Sequence, residues 1–186
     1  MTYAICTQPL QPIMEILPIY KIIDYPLEKR DYKPFAQMRT CLTPTNLILE
    51  MWAFEMVPTP ESCLTAVFSV PNSDKLLFAE CLSGGKTSCF VKTPSGKKSL
   101  SVVSHSLNGE DLQGIFWGIR FEIPRTIFTD NFGKQVLDCG STLLCNIYKL
   151  SANADKPHKG SLYPADFVGG REYSVGSLAP FKIINY

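Results

Sequence analysis

The segment Gly114–Pro124, GIFWGIRFEIP, constrains the fold of this chain more than any other stretch. Ile115, Trp117, Ile119, Phe121 and Ile123 alternate with Phe116, Gly118, Arg120 and Glu122. A period of two puts the first set on one face of a strand, and a row of large apolar groups there demands a second layer to cover it. Pro124 ends the strand, because proline cannot donate to a ladder. Burying each of these side chains contributes roughly 1.5–3 kcal/mol, so the segment anchors the core. Nothing in it carries chemistry.

The remaining chain must supply that second layer. Its 186 residues suffice for one domain, 1–186, built on a single core. Hydrophobic residues at 45% and charged ones at 19% describe an ordinary folded protein. A formal net charge of +1 gives no long-range field to draw in nucleic acid, so no nucleic-acid partner is expected. The opening MTYAICTQPLQPIMEILPIY lacks a basic start and a continuous apolar run, and no stretch reaches the roughly 18 apolar residues of a membrane span. The expectation is a soluble protein with no targeting signal and no membrane partner. Seven cysteines, an odd number, lie scattered with no Cys-x-x-Cys pair and with two histidines in the chain. That pattern predicts reduced thiols, a cytoplasmic setting and no metal site.

Turn signals recur every 8 to 12 residues or so, the rhythm of a sandwich or barrel. Pro9, Pro12 and Pro18 make residues 1–20 an extended arm along a sheet edge. FAQMRTCL and LILEMWAFEM read as a hairpin around Thr-Pro-Thr-Asn. CLTAVFSV, LLFAECL, Thr87–Thr93 and LSVVSH follow as strands, with turns at Pro-Asn-Ser-Asp, Gly84-Gly85, Pro94-Ser95-Gly96 and Asn108-Gly109. RTIFTD reads as a short helical turn, STLLCNIYKL as a strand, SANADKPHKGSLYPADFVGGREYSVGS as a long loop, and FKIINY as a final strand. The predicted fold is all-β: a two-sheet antiparallel β-sandwich, jelly-roll-like, with one short helix.

Several phrases on this path resemble the family 9 carbohydrate-binding modules and their DOMON-like relatives. Glu61-Ser62-Cys63-Leu64 resembles the acid-Ser-x-x motif that opens a core strand of that family, and LLFAECLSGG, with Glu80, its next strand and glycine turn. WGIRFEIP followed by RTIF resembles the Trp-Gly strand, proline and helix; Cys145–Lys149 the penultimate strand; Ser161-Leu162-Tyr163-Pro164 the Ser-Trp-Ser-Pro loop; FKII the last strand. The resemblance covers about residues 35–186 and implies a jelly-roll sandwich that, in typical members, binds polysaccharide ends or small sugars without cleaving them. It also implies a degenerate site. The two stacking tryptophans of typical members fall at Val57-Pro58 and at Arg171-Glu172-Tyr173, where Tyr173 remains as a ring. The glutamate after the acid-Ser motif is Thr65, an asparagine after Glu80 is Leu82, and the loop tryptophan is Leu162.

Sugar recognition needs an aromatic platform for the apolar face of a pyranose and carboxylates or amides for its hydroxyls. The candidate binding residues are therefore Glu80, Tyr163, Arg171 and Tyr173, with Asp166 and Glu172 in the same loop. The ligand is expected between the 158–173 loop and the strand carrying Glu80: a small saccharide or a polysaccharide end. Trp52 and Trp117 read as core, and His158 as a solvated loop residue. No paired carboxylates, nucleophile or orienting base is legible, so no catalytic residue and no cofactor is assigned. Two other readings are a structural or protein-interaction sandwich without a sugar site and a haem-binding DOMON-like protein using Met38, Met51 or Met56.

Overall fold

The computed structural model describes residues 3–29, 35–55, 57–112, 114–153 and 157–185. The strands are β1 (Tyr3–Thr7), β2 (Tyr20–Lys21), β3 (Phe35–Leu42), β4 (Asn46–Phe54), β5 (Cys63–Ser69), β6 (Leu76–Leu82), β7 (Thr87–Thr93) and β8 (Gly96–Ser99). They continue with β9 (Val103–Asp111), β10 (Gly114–Pro124), β11 (Thr142–Ser151), β12 (His158–Ser161) and β13 (Ala179–Ile184), with one helix, α1 (Arg125–Phe132), after β10. All of them join a single hydrogen-bonded sheet in the order β8-β7-β6-β5-β11-β13-β1-β3-β4-β10-β9, with β12 beside β11 and β2 beside β3.

This sheet curls until its halves face each other. The main core draws Leu64, Ala66 and Phe68 of β5 together with Leu49 and Met51 of β4 and Trp117, Ile119 and Phe121 of β10. Phe128 of α1 seals one end, its ring edge-on to Phe68 at 5.9 Å. Where the strand pattern predicts two antiparallel sheets, hydrogen bonding instead runs unbroken around the curl. The cause is β1. It pairs in parallel with β13 on one side and β3 on the other, so the prolines that follow do not leave this arm on an edge.

Gly114–Pro124 forms β10 as its alternation predicts, with Trp117, Ile119, Phe121 and Ile123 buried and only Ile115 exposed at the open end. Two glycines there answer to packing. A Cβ on Gly118 would strike the Met51 carbonyl oxygen and the Trp52 backbone, and one on Gly109 would stand 2.8 Å from the Phe116 ring. Gly109 pairs with Phe116 inside β9, so the Asn108-Gly109 turn of the sequence reading is strand here. The glycine makes room for a cross-strand ring rather than for a reversal of the chain.

Two segments cover the outer faces of the sheet. Met14 and Leu17 pack on Cys6, Cys41 and Ile48 over one half, while Phe167, Leu178 and Tyr173 pack with Val67, Phe78, Phe90 and Tyr148 over the other. Trp52 departs from its core assignment: it lies half-buried on the outer face, with the Arg39 guanidinium 5.4 Å from its ring. All seven thiols are free, and Cys139 alone among them is exposed.

Candidate functional site

The outer face of β5, β6 and β7 carries polar groups at the positions where the inner face carries core. Register sets Thr65 of β5 beside Glu80 of β6, and Glu80 beside Ser88 of β7. Strand alternation turns these three side chains the same way, opposite to the buried Leu64, Ala79, Cys81 and Cys89. They floor a cleft of about 340 Å³ whose rim includes Cys63, Leu82, Lys86, Lys97 and Tyr173. A wider hollow of about 590 Å³ continues from it along β7 and β8, past Phe90, Lys92 and the Pro94-Ser95-Gly96 turn, and shares Glu80, Lys97 and Tyr173. Among the described residues, Glu80 is the only carboxylate lining either space.

Glu80 accepts a hydrogen bond from Ser88 Oγ at 2.7 Å through Oε2. Its Oε1 has no hydrogen-bond partner among the described residues, which leaves a charged acceptor at the cleft. Tyr173 is held from behind. Its ring stands edge-on to Phe78 at 5.4 Å and to Tyr148 at 5.0 Å, and Tyr148 donates its hydroxyl to the Glu172 carbonyl at 2.6 Å. Burial pushes the Tyr173 phenol up, with Cys63, Glu172 and Glu80 adding to the shift and a hydrogen bond with Thr65 opposing it. The phenol is therefore a neutral hydrogen-bonding group at ordinary pH. Phe78 and Phe90 stack face to face at 4.7 Å, and Lys97 Nζ stands 3.4 Å from the centre of the Phe90 ring.

The structure thus brings Glu80 and Tyr173 together and holds Tyr163 and Arg171 elsewhere. Asn146, fully buried in β11, donates to the carbonyls of Tyr163 and Ser177 at 2.8 and 2.7 Å and accepts from the Tyr163 amide at 3.1 Å. That clamp sets Tyr163 away from the cleft, close enough to Tyr3 to raise its phenol slightly after the larger effect of burial. Arg171 is exposed and pairs with Asp166 at 3.0 Å, an ion pair internal to the loop. The Gly169 amide and Arg171 hold the Asp166 carboxyl below its usual range.

A second polar cluster lies inside the curl. Lys149 of β11 is 0% exposed; its Nζ stands 3.1 Å from Glu55 Oε2 and 2.7 Å from His158 Nε2. Glu55 also accepts from Trp117 Nε1 at 3.1 Å and from Ser62 Oγ at 3.0 Å. Burial lowers the Lys149 pKa and the Glu55 carboxylate opposes that shift. The roles of Nζ and Nε2 in that contact follow the His158 tautomer, an ammonium at Lys149 donating to an unprotonated Nε2. His158 is thus buried, against the expectation of a solvated loop residue, because β12 pairs with β11 and carries it inward. The parity of STLLCNIYKL held the signal for this cluster: Lys149 shares the face of Leu143, Cys145 and Ile147. His105 stands on β9, 3.8 Å from the Glu122 carboxylate. Met38 and Met51 are buried in the main core, and Met56 lies outside the described residues. Among the described residues, no group of three or more His, Cys, Asp or Glu side chains is placed to hold a metal ion.

No protein-family model matches this chain, and no curated protein matches it in sequence. Solved structures do share its fold. A candidate carbohydrate-binding protein from Bacteroides uniformis ATCC 8492 superposes with a TM-score of 0.73 at 16% identity, covering 98% of this chain and 100% of that one. A family 9 carbohydrate-binding module from Caldicellulosiruptor kristjanssonii in complex with cellotriose gives 0.60 at 8% identity, covering 98% and 94%. The same type of module from that organism in complex with glucose gives 0.60 at 7% identity, covering 98% and 96%.

Proposed function

We propose that this protein binds carbohydrate without cleaving it, taking a mono- or oligosaccharide or a polysaccharide end into the cleft between Glu80 and Tyr173. The observation that carries this reading is the pairing, across a space of about 340 Å³, of a half-buried ring with a carboxylate that has one oxygen uncommitted among the described residues. A pyranose offers an apolar ring face and hydroxyls that donate in pairs, and these two groups match the two needs. Support also comes from the shared fold of the family 9 modules solved with cellotriose and glucose. One carboxylate suits binding and not hydrolysis, which in most glycosidases needs a pair flanking the bond.

In this reading the curled sheet is a variant of the jelly-roll sandwich of DOMON-like proteins, its halves linked through β1. The site is reduced relative to the family pattern, with Tyr173 as its ring, Thr65 and Ser88 as neutral partners of Glu80, and Tyr163 and Arg171 as loop framing. We place the protein in the cytoplasm, free of nucleic-acid and membrane partners. Calorimetric titration with mono- and disaccharides up to millimolar concentration tests the function. Saturable heat from at least one sugar is the expected result, and none from any sugar would contradict it.

A further inference from the structure

The cleft holds more positive charge than a neutral sugar uses. Lys86 and Lys97 line it beside Glu80, and Lys92 joins them in the adjoining hollow. None of the three forms an ion pair among the described residues; that is the ordinary condition of an exposed lysine in this chain, and what sets these three apart is that they gather at the cleft and its adjoining hollow. The single carboxylate facing them already accepts from Ser88. In a chain whose formal charge is only +1, three ammonium groups against one carboxylate along the cleft and its adjoining hollow are a local excess. A low-dielectric wall of Phe78, Phe90 and Tyr173 focuses their field into the cleft.

The apolar side points the same way. Neutral sugars are held largely by ring stacking, yet the ring here is a single half-buried tyrosine, and the Phe90 face beside it is covered by the Lys97 ammonium. Charge-assisted hydrogen bonds are roughly twice as strong as neutral ones and can offset the missing platform. Lys97 is also positioned by its contact with Phe90, so it arrives at the ligand with less freedom to lose than a lysine extended into water.

We propose that the ligand of this cleft is an anionic saccharide, one whose carboxylate or phosphate is taken by Lys97 and Lys86 while Glu80 receives hydroxyls and Tyr173 meets the ring. This rests on the carbohydrate-binding reading above and narrows it to a charged class. No bond is made or broken; the anion exchanges water and counterions for ammonium groups.

Titration calorimetry with matched oligosaccharides, neutral and uronate-ended, together with glucose 6-phosphate and inorganic phosphate, separates the outcomes. The expected result is that the uronate-ended sugar or glucose 6-phosphate binds at least tenfold more tightly than its neutral counterpart. Raising salt to about 0.5 M should erase most of that advantage, because exposed charges are screened within a few ångströms there. In the Lys86→Gln, Lys97→Gln double variant the anionic ligand should fall to the neutral level. A uronate preference identifies an acidic sugar, and a preference for glucose 6-phosphate a phosphorylated one. Neutral sugars binding as tightly as charged ones would overturn the charged ligand and leave carbohydrate binding standing. An anionic preference that survives the double variant would likewise overturn it. Binding of inorganic phosphate alone, or of nothing, would overturn both readings.

Discussion

Two places in this molecule assemble a carboxylate, lysine and an aromatic ring, and they do opposite things with them. Inside the curl, Glu55, Lys149, His158, Ser62 and Trp117 engage one another: both Glu55 oxygens accept, and the Lys149 ammonium meets a carboxylate and an imidazole. On the outer face, among the described residues, Glu80 keeps one oxygen uncommitted and Lys86, Lys92 and Lys97 stand without counterions. The inner set closes the end of a core, and the outer set faces a space open to solvent. Residue type alone does not mark a binding site. What separates the two places is polar capacity left unspent, among the described residues, at a concavity open to solvent.

This contrast breaks most visibly on the inner side. Glu55→Ala strands a charge at a fully buried lysine and should lower unfolding stability by about 3–5 kcal/mol in urea titrations. Replacing both partners, as in Glu55→Leu with Lys149→Met, should recover much of that loss. A Glu55→Ala cost below about 1 kcal/mol would mean that the network is not the sealed one described. Alkaline pH probes the same interior. Burial pushes the thiols of Cys41, Cys81 and Cys89 up to about 12, 11 and 12 from an ordinary 9. Above pH 9 the unfolded chain sheds protons that the folded chain keeps. Stability present below pH 9 should then be lost as pH rises towards those values, by about 1.4 kcal/mol per pH unit for each thiol. Lys149 works in the opposite sense, because its lowered pKa makes the unfolded state the better proton binder. Lys149→Met should therefore steepen the alkaline loss seen in thermal melts.

On the outer side the effects are on affinity. Glu80→Gln removes the charged acceptor and should weaken saccharide binding by about 1.5–3 kcal/mol, and Tyr173→Ala by about 1 kcal/mol, both read by calorimetry. Tyr163→Ala and Arg171→Ala should change affinity by less than about 0.5 kcal/mol, as substitutions away from the site do. An effect from either equal to that of Tyr173→Ala would move the site along the loop.

The strands were the legible part of the fold. LLFAECL and FAQMRTCL take the bounds that alternation and turn residues give them, and Arg125–Phe132 forms the helix after Pro124. Connection between the halves was not legible, because whether an arm such as Tyr3–Thr7 fills a gap in a sheet depends on partners far along the chain. Asn108-Gly109 misled for a local reason: a glycine that admits the Phe116 ring looks the same in sequence as one that turns the chain. In the candidate site, Glu80 and Tyr173 were readable from residue type and from the resemblance, but their meeting depends on a long loop returning over β5 and β6. The lysines carried no signal of their own, since an exposed lysine is ordinary on a protein surface and, like Lys97 on β8, also serves to blunt an edge strand. Ser62 shows the converse. The serine of the acid-Ser motif is spent here on Glu55 inside the core.

Ligand that enters the outer cleft and leaves the inner cluster alone should give a defined footprint in amide chemical-shift mapping by NMR during a saccharide titration. Saturable shifts confined to Thr65, Glu80, Ser88, Lys97, Tyr173 and their strand neighbours, with Glu55, Trp117 and Lys149 unmoved, are the predicted result. Shifts centred on the Glu55–Lys149 cluster, or on Tyr163 and Arg171 with Glu80 silent, would contradict it.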